Sequence, residues 1–118
     1  MAAPRFHVSA EEYAAAKFHE CIHSTSKPLA RKVESLNGNR SGYCREELTA
    51  ELGASMLCGL SGILDRTIDN SSAYISGWLK VLRSDKRAIV VAAGAAQRAT
   101  DLICSDHEQA EIELPMAA

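Results

Sequence analysis

The sequence predicts a mainly α-helical fold of about four helices, and three observations support this. Aromatic residues make up only 5% of the 118 residues while alanine recurs throughout, which suits helices that approach closely. Four stretches carry helical apolar spacing, helix-capping residues or both. Only Arg5 to Val8 reads as a strand, so at most one short strand is expected, near the N-terminus, and one strand makes no sheet.

The first helix is expected to start at Ser9, because Ser9-Ala10-Glu11-Glu12 has the form of a capping box. It should run to about Ser24. Ser26, Pro28, Asn37-Gly38-Asn39 and Ser41-Gly42 then mark a polar connection. A second helix is expected from about Cys44 to Leu60, with Gly62 as its stop signal, followed by a loop from Asp65 to Asn70. Ser71 or Ser72 would cap a third helix, on which Tyr74 and Trp78 at i, i+4 spacing should face the core. Ser84 or Asp85 would cap a fourth, reaching about Ile103. Its run from Ala88 to Ala96 is apolar nearly all round, which predicts a central, buried helix. Residues 1–104 are read as one domain, and residues 105–118 as a flexible acidic tail.

The formal charge of −2 excludes a broad basic footprint for nucleic acid and a DNA-mimicking acidic surface. No stretch approaches the roughly 18 apolar residues that span a bilayer, and the first residues hold no apolar leader core. A cytoplasmic protein with no membrane partner is therefore expected. Cys21, Cys44, Cys58 and Cys104 show no C-x-x-C pairing and read as reduced thiols.

His19-Glu20-Cys21-Ile22-His23 is an H-E-x-x-H sequence in the second half of the first helix. At about 100° per residue, His23 lies roughly 40° around the axis from His19 and one turn along it, so both imidazoles can meet one metal ion. Glu20 lies roughly 60° beyond His23, which suits a base acting on a water beside the metal rather than a ligand. Ala15 and Ala16 precede the histidines on the same face and leave space above the ion. Zinc needs a third protein ligand. Glu47 and Glu51 share one face of the second helix, continued by Ala54 and flanked by Gly53, and would repel each other without a cation. Glu47 is the expected third ligand and Glu51 the expected hydrogen-bond partner of a ligand histidine. Glu46, about 100° away around the helix, is expected to face solvent. Tyr43 and His7 are weaker candidates for stabilising an oxyanion, with packing or surface roles favoured for both.

Residues 6–23, reading Phe-His-Val-Ser-Ala-Glu-Glu-Tyr and then the His-Glu-x-x-His helix, resemble the zincin-like metallopeptidase domain of ArdC-type antirestriction proteins, a domain also found in polyvalent proteins of phages and plasmids. Tyr43 to Ala54, Ala73 to Leu79 and Ser84 to Ile89, continuing to Ala95-Ala96-Gln97-Arg98-Ala99, extend the likeness in order over most of residues 6–104. The sequence departs from the family where Thr-Gly and then Arg-Leu follow the second histidine. Here it reads Ser24-Thr25-Ser26 and Pro28-Leu29-Ala30-Arg31. The resemblance implies Zn2+ on His19, His23 and Glu47, with Glu20 as the catalytic glutamate. It also implies a zinc-dependent peptidase of mobile-element type acting on a protein or peptide substrate, with a restriction-system or DNA-linked partner. The alternative expectation is a non-catalytic, zinc-stabilised binding module, or a fragment of a larger polyvalent protein.

Overall fold

The computed structural model describes residues 9–31 and 40–117, with side chains described through Ser105. Four helices follow in order: α1 (Ala10–Ser24), α2 (Arg40–Ser61), α3 (Leu64–Val81) and α4 (Ala88–Ala117). Among the described residues there is no strand, so the fold is mainly α. The expected strand at Arg5 to Val8 lies outside the described residues.

Helix α1 begins as its capping sequence predicts. The Ser9 hydroxyl accepts the Glu12 backbone N–H at 3.1 Å, satisfying one of the donors a helix N-terminus leaves free. Helix α2 starts at Arg40, four residues before the expected Cys44, and ends at Gly62, whose φ of 79° an L side chain adopts only with strain. Ile63 N–H donates to Cys58 O at 3.0 Å and Gly62 N–H to Gly59 O at 3.2 Å, the paired bonds of a Schellman stop.

Two expectations about α3 and α4 are corrected. Residues 65–70 are not a loop, and Ser71 and Ser72 are not caps, because α3 already starts at Leu64. The segment carries no glycine or proline to stop a helix, and Thr67 and Ser71 turn inward at i, i+4 while Asp65, Arg66 and Asp69 stay in solvent. Asp85 does organise the entry to α4, its carboxylate accepting the Arg87 N–H at 3.1 Å. The helix continues past Ile103 to Ala117.

Helix α4 is also not buried all round. It buries a stripe of alanines, Ala88, Ala92, Ala95, Ala96 and Ala99, and leaves Val90 68% and Val91 51% exposed. Small side chains let α4 lie close on α2, and the larger aliphatics then fall on the outer face. The central helix is α2, which packs against each of the other three. One apolar cluster joins Cys44 and Leu48 of α2 to Leu82, Ala88 and Ala92, with Ile75, Trp78 and Leu79 of α3 packed on it. A second joins Ile22 of α1 to Ala50 and Leu57 of α2 and Ala99 of α4. Gly53 sets the approach of α1 to α2, since a Cβ there would stand 2.6 Å from Ile22 Cδ1. The four cysteines are free thiols.

Candidate metal centre

The close α1–α2 crossing places the histidine face of α1 over the glutamates of α2. His19 Nε2 and His23 Nε2 lie 3.1 Å apart, their rings edge-to-face at 76°. Glu47 closes the third side, with Oε1 at 3.4 Å from His19 Nε2 and Oε2 at 2.8 Å from His23 Nε2. Ligand atoms of these three residues fall within 4.8 Å of one another. Three ligands about 2.0–2.2 Å from one tetrahedral zinc would stand roughly 3.3 Å apart, so the donor spacing fits a single ion.

The outer ring nitrogens strengthen that fit. His19 Nδ1–H donates to Glu51 Oε2 at 2.6 Å, and His23 Nδ1–H donates to Glu46 Oε2 at 2.9 Å. With both Nδ1 atoms donating, both Nε2 lone pairs point toward each other and toward the Glu47 carboxylate. A cation among them turns that repulsion into coordination. The residues therefore fit a zinc ion, which His19, His23 and Glu47 would hold.

Glu51 sits where the sequence reading put it, against a histidine. Glu46 does not. It was expected in solvent, yet it is 5% exposed, and Arg31 holds its carboxylate through Nε to Oε1 and Nη2 to Oε2, both at 2.9 Å. Arg31 also donates to Thr25 Oγ1 and to the Ile22 carbonyl, each at 2.9 Å. The turn that carries Arg31 back to α1 passes through Ala30 in the left-handed region, φ 56°, a conformation that costs an L residue about 1–2 kcal/mol and that these hydrogen bonds offset. Sequence reasoning missed Arg31 and Glu46 because the crossing of α1 over α2 gives His23 a carboxylate on the side opposite Glu51. The need of a ligand histidine for an acceptor at its outer nitrogen was the available signal.

The electrostatics follow from these contacts. The hydrogen bond to Glu51 raises the His19 pKa above its ordinary 6.5 against the opposing effect of burial, with the charges of Glu51, Glu47 and Glu20 adding to it. The hydrogen bond to Glu46 raises that of His23 in the same way. Burial pushes Glu46 upward, but hydrogen bonds from Arg31 and His23 outweigh it and hold the carboxyl below its ordinary 4.5.

Of the three residues that fit the ion, His19 and Glu47 face a cavity of about 400 Å³ between α1 and α3, floored by α2. From α1 it is lined by Glu12, Ala15, Ala16, His19 and the exposed Glu20, so the alanines leave the space expected of them. Glu47, Glu51 and Ala54 line it from α2. The wall from α3 includes Ser71, Tyr74 and Trp78. Tyr74 was expected in the core but is 56% exposed at this wall. The earlier start of α3 rotates no residue, but it extends the stripe Thr67, Ser71, Tyr74, Trp78 along the cavity. Tyr43 packs edge-on to Trp78, ring centroids 6.1 Å apart, and takes a packing role. His7 lies outside the described residues.

Four helices thus bring two histidines and a glutamate together beside an open cavity, in a group whose spacing fits a metal ion. The model of the zincin-like metallopeptidase family matches residues 1–95, and the chain belongs to that family. It is 34% identical over 101 residues to the uncharacterized protein y4eC of Sinorhizobium fredii, a match covering 84% of this chain and 33% of that protein. It is 35% identical over 107 residues to the DNA primase TraC of Escherichia coli, covering 89% of this chain and 10% of that protein. The chain thus spans about a third and a tenth of the lengths of these two relatives. No solved structure matches it.

Proposed function

We propose that this domain is a zinc-dependent peptidase. The observation that carries the reading is the convergence of His19, His23 and Glu47, of which His19 and Glu47 line a cavity together with Glu20. Zinc held there would supply Lewis acidity, lowering the pKa of water to about 7 and polarising a carbonyl. His19, His23 and Glu47 would hold the ion, and Glu51 and Glu46 orient the two rings. Glu20 takes a proton from the attacking water as its oxygen bonds to the carbonyl carbon. It delivers that proton to the departing amine nitrogen as the C–N bond breaks.

The reading takes a protein or peptide as substrate. It extends to an antirestriction role in the cytoplasm, with a restriction-system or DNA-linked partner, on the strength of the family resemblance. Among the described residues no helix is long and apolar enough to cross a membrane. The relatives' greater length supports a second reading, in which the domain is a zinc-stabilised binding module of a larger protein.

Glu20→Gln separates the two. The variant keeps the shape and removes the base, so zinc content and melting temperature should match wild type. Hydrolysis of a fluorogenic peptide mixture should fall by about 10²–10⁴-fold. A zinc-loaded Glu20→Gln protein that cleaves as fast as wild type would refute the mechanism. Full biological activity from that variant without cleavage would favour the binding module.

A further inference from the structure

The cavity's two walls differ in chemistry. From α1 and α2 come four carboxylates, Glu12, Glu20, Glu47 and Glu51, and no lysine or arginine is among the described residues that line it. Glu47 and Glu51 are occupied by the histidines, whereas neither Glu12 nor Glu20 forms an ion pair among the described residues, although the Glu20 charge is felt by His19. The α3 wall carries neutral groups that can donate hydrogen bonds: Asn70, Ser71, Tyr74 and the Trp78 indole. Ser71 is 5% exposed, and its hydroxyl has no hydrogen-bond partner among the described residues. A buried hydroxyl without a partner costs stability unless something else satisfies it, and here it lines a cavity.

Helices shape what such a cavity can hold. The interior backbone groups of α1, α2 and α3 are paired within their own helices, so none is free to bond an extended chain as a strand edge would. A peptide lying there must find its hydrogen bonds in side chains, and the α3 wall supplies donors for its carbonyls. Glu12 lies seven residues before His19, about 10 Å along α1, or roughly three residues of extended peptide from the metal centre.

Resting on the peptidase reading, we propose that the cavity takes an extended peptide bearing a basic side chain. Ser71 and Tyr74 hold its carbonyls, and Glu12 receives the positive charge within about three residues of the bond at the metal. Ala15 and Ala16 keep the path from Glu12 to His19 open, and the carboxylates disfavour an acidic substrate near the centre.

The test uses alanine heptapeptides with a central phosphinate, carrying one arginine at each of the three positions on either side, and matched peptides with neutral citrulline instead. Trp78, the single tryptophan and a cavity residue, reports binding by its fluorescence. Affinities are measured on zinc-loaded and metal-free protein. At one or more positions arginine should bind roughly three- to tenfold more tightly than citrulline, with or without zinc, and Glu12→Gln should erase the difference. Ser71→Ala and Tyr74→Phe should weaken both members of that pair by several-fold and leave their ratio intact. Zinc-loaded protein that shows no arginine preference at any position, or a preference that survives Glu12→Gln, would overturn the proposal while leaving the metal site standing. An arginine preference through Glu12 in a protein that takes up no zinc would support the cavity and reject the peptidase.

Discussion

Replacing Glu46 with glutamine probes the contact that links the second histidine to the fold. The Glu46 and Arg31 side chains are 5% and 13% exposed, so the pair is largely shielded from water. Glutamine keeps one acceptor oxygen, which cannot serve His23 Nδ1, Arg31 Nε and Arg31 Nη2 together, and it leaves the guanidinium without a counter-charge. Removing one partner of a buried pair costs about 3–5 kcal/mol, and the residual exposure of Arg31 places the expected loss at the lower end, about 3 kcal/mol. For a domain of this size that is a fall of about 10 °C in the melting temperature of the metal-free protein, read by circular dichroism with chelator present. Zinc affinity should drop by about 10–100-fold, read by competition with a chromophoric chelator, because the ring of His23 loses its orienting acceptor. Arg31→Met combined with Glu46→Leu should recover part of the thermal stability, since no charge is then buried alone. A Glu46→Gln protein that melts with wild type and holds zinc equally well would refute the role assigned to this contact.

Other outcomes follow from the same geometry. Glu47→Ala should abolish tight zinc binding, whereas Glu51→Ala should weaken it by about 10–100-fold in the same titration; the reverse order would exchange the two roles. Gly53→Ala puts a Cβ 2.6 Å from Ile22 Cδ1 and 2.7 Å from Ile22 Cγ1, against a fully buried side chain. It should destabilise by about 1–3 kcal/mol in chemical denaturation despite alanine's better helix propensity, and Ile22→Val should relieve part of the loss. In metal-free protein the raised pKa values of His19 and His23 favour the fold below 6.5, and that contribution is lost as pH rises through the raised values. Glu46 works in the opposite sense, favouring the fold above 4.5 and losing that contribution as pH falls through its depressed value. Because protons and zinc compete for the same imidazoles, zinc affinity should already decline above pH 6.5 on acidification; an affinity flat from about pH 8 down to 6.5 would contradict the raised histidines.

What the sequence determined by itself is local. Ser9 and Glu12 define the start of α1 through one hydrogen bond three residues apart. Gly62 defines the end of α2 through its own backbone conformation. The four-residue spacing of His19 and His23 puts two ligands on one face of any helix that forms there, and the same spacing pairs Glu47 with Glu51. What only the tertiary structure decided depends on which helix faces which. The crossing angle of α1 on α2, set where Gly53 meets Ile22, turned Glu46 from an apparent solvent residue into the buried acceptor of His23. Arg31 reached it through a turn after α1 that no periodicity describes. The alanine stripe of α4 became the buried face because its partner lay close, leaving Val90 and Val91 outside. Tyr74 became a cavity wall because α3 stands off from α1 across the cavity, a separation fixed by both helices packing on α2. Helical spacing fixes the face each residue shares, but the face that meets water, metal or another helix is chosen by the packing of all four.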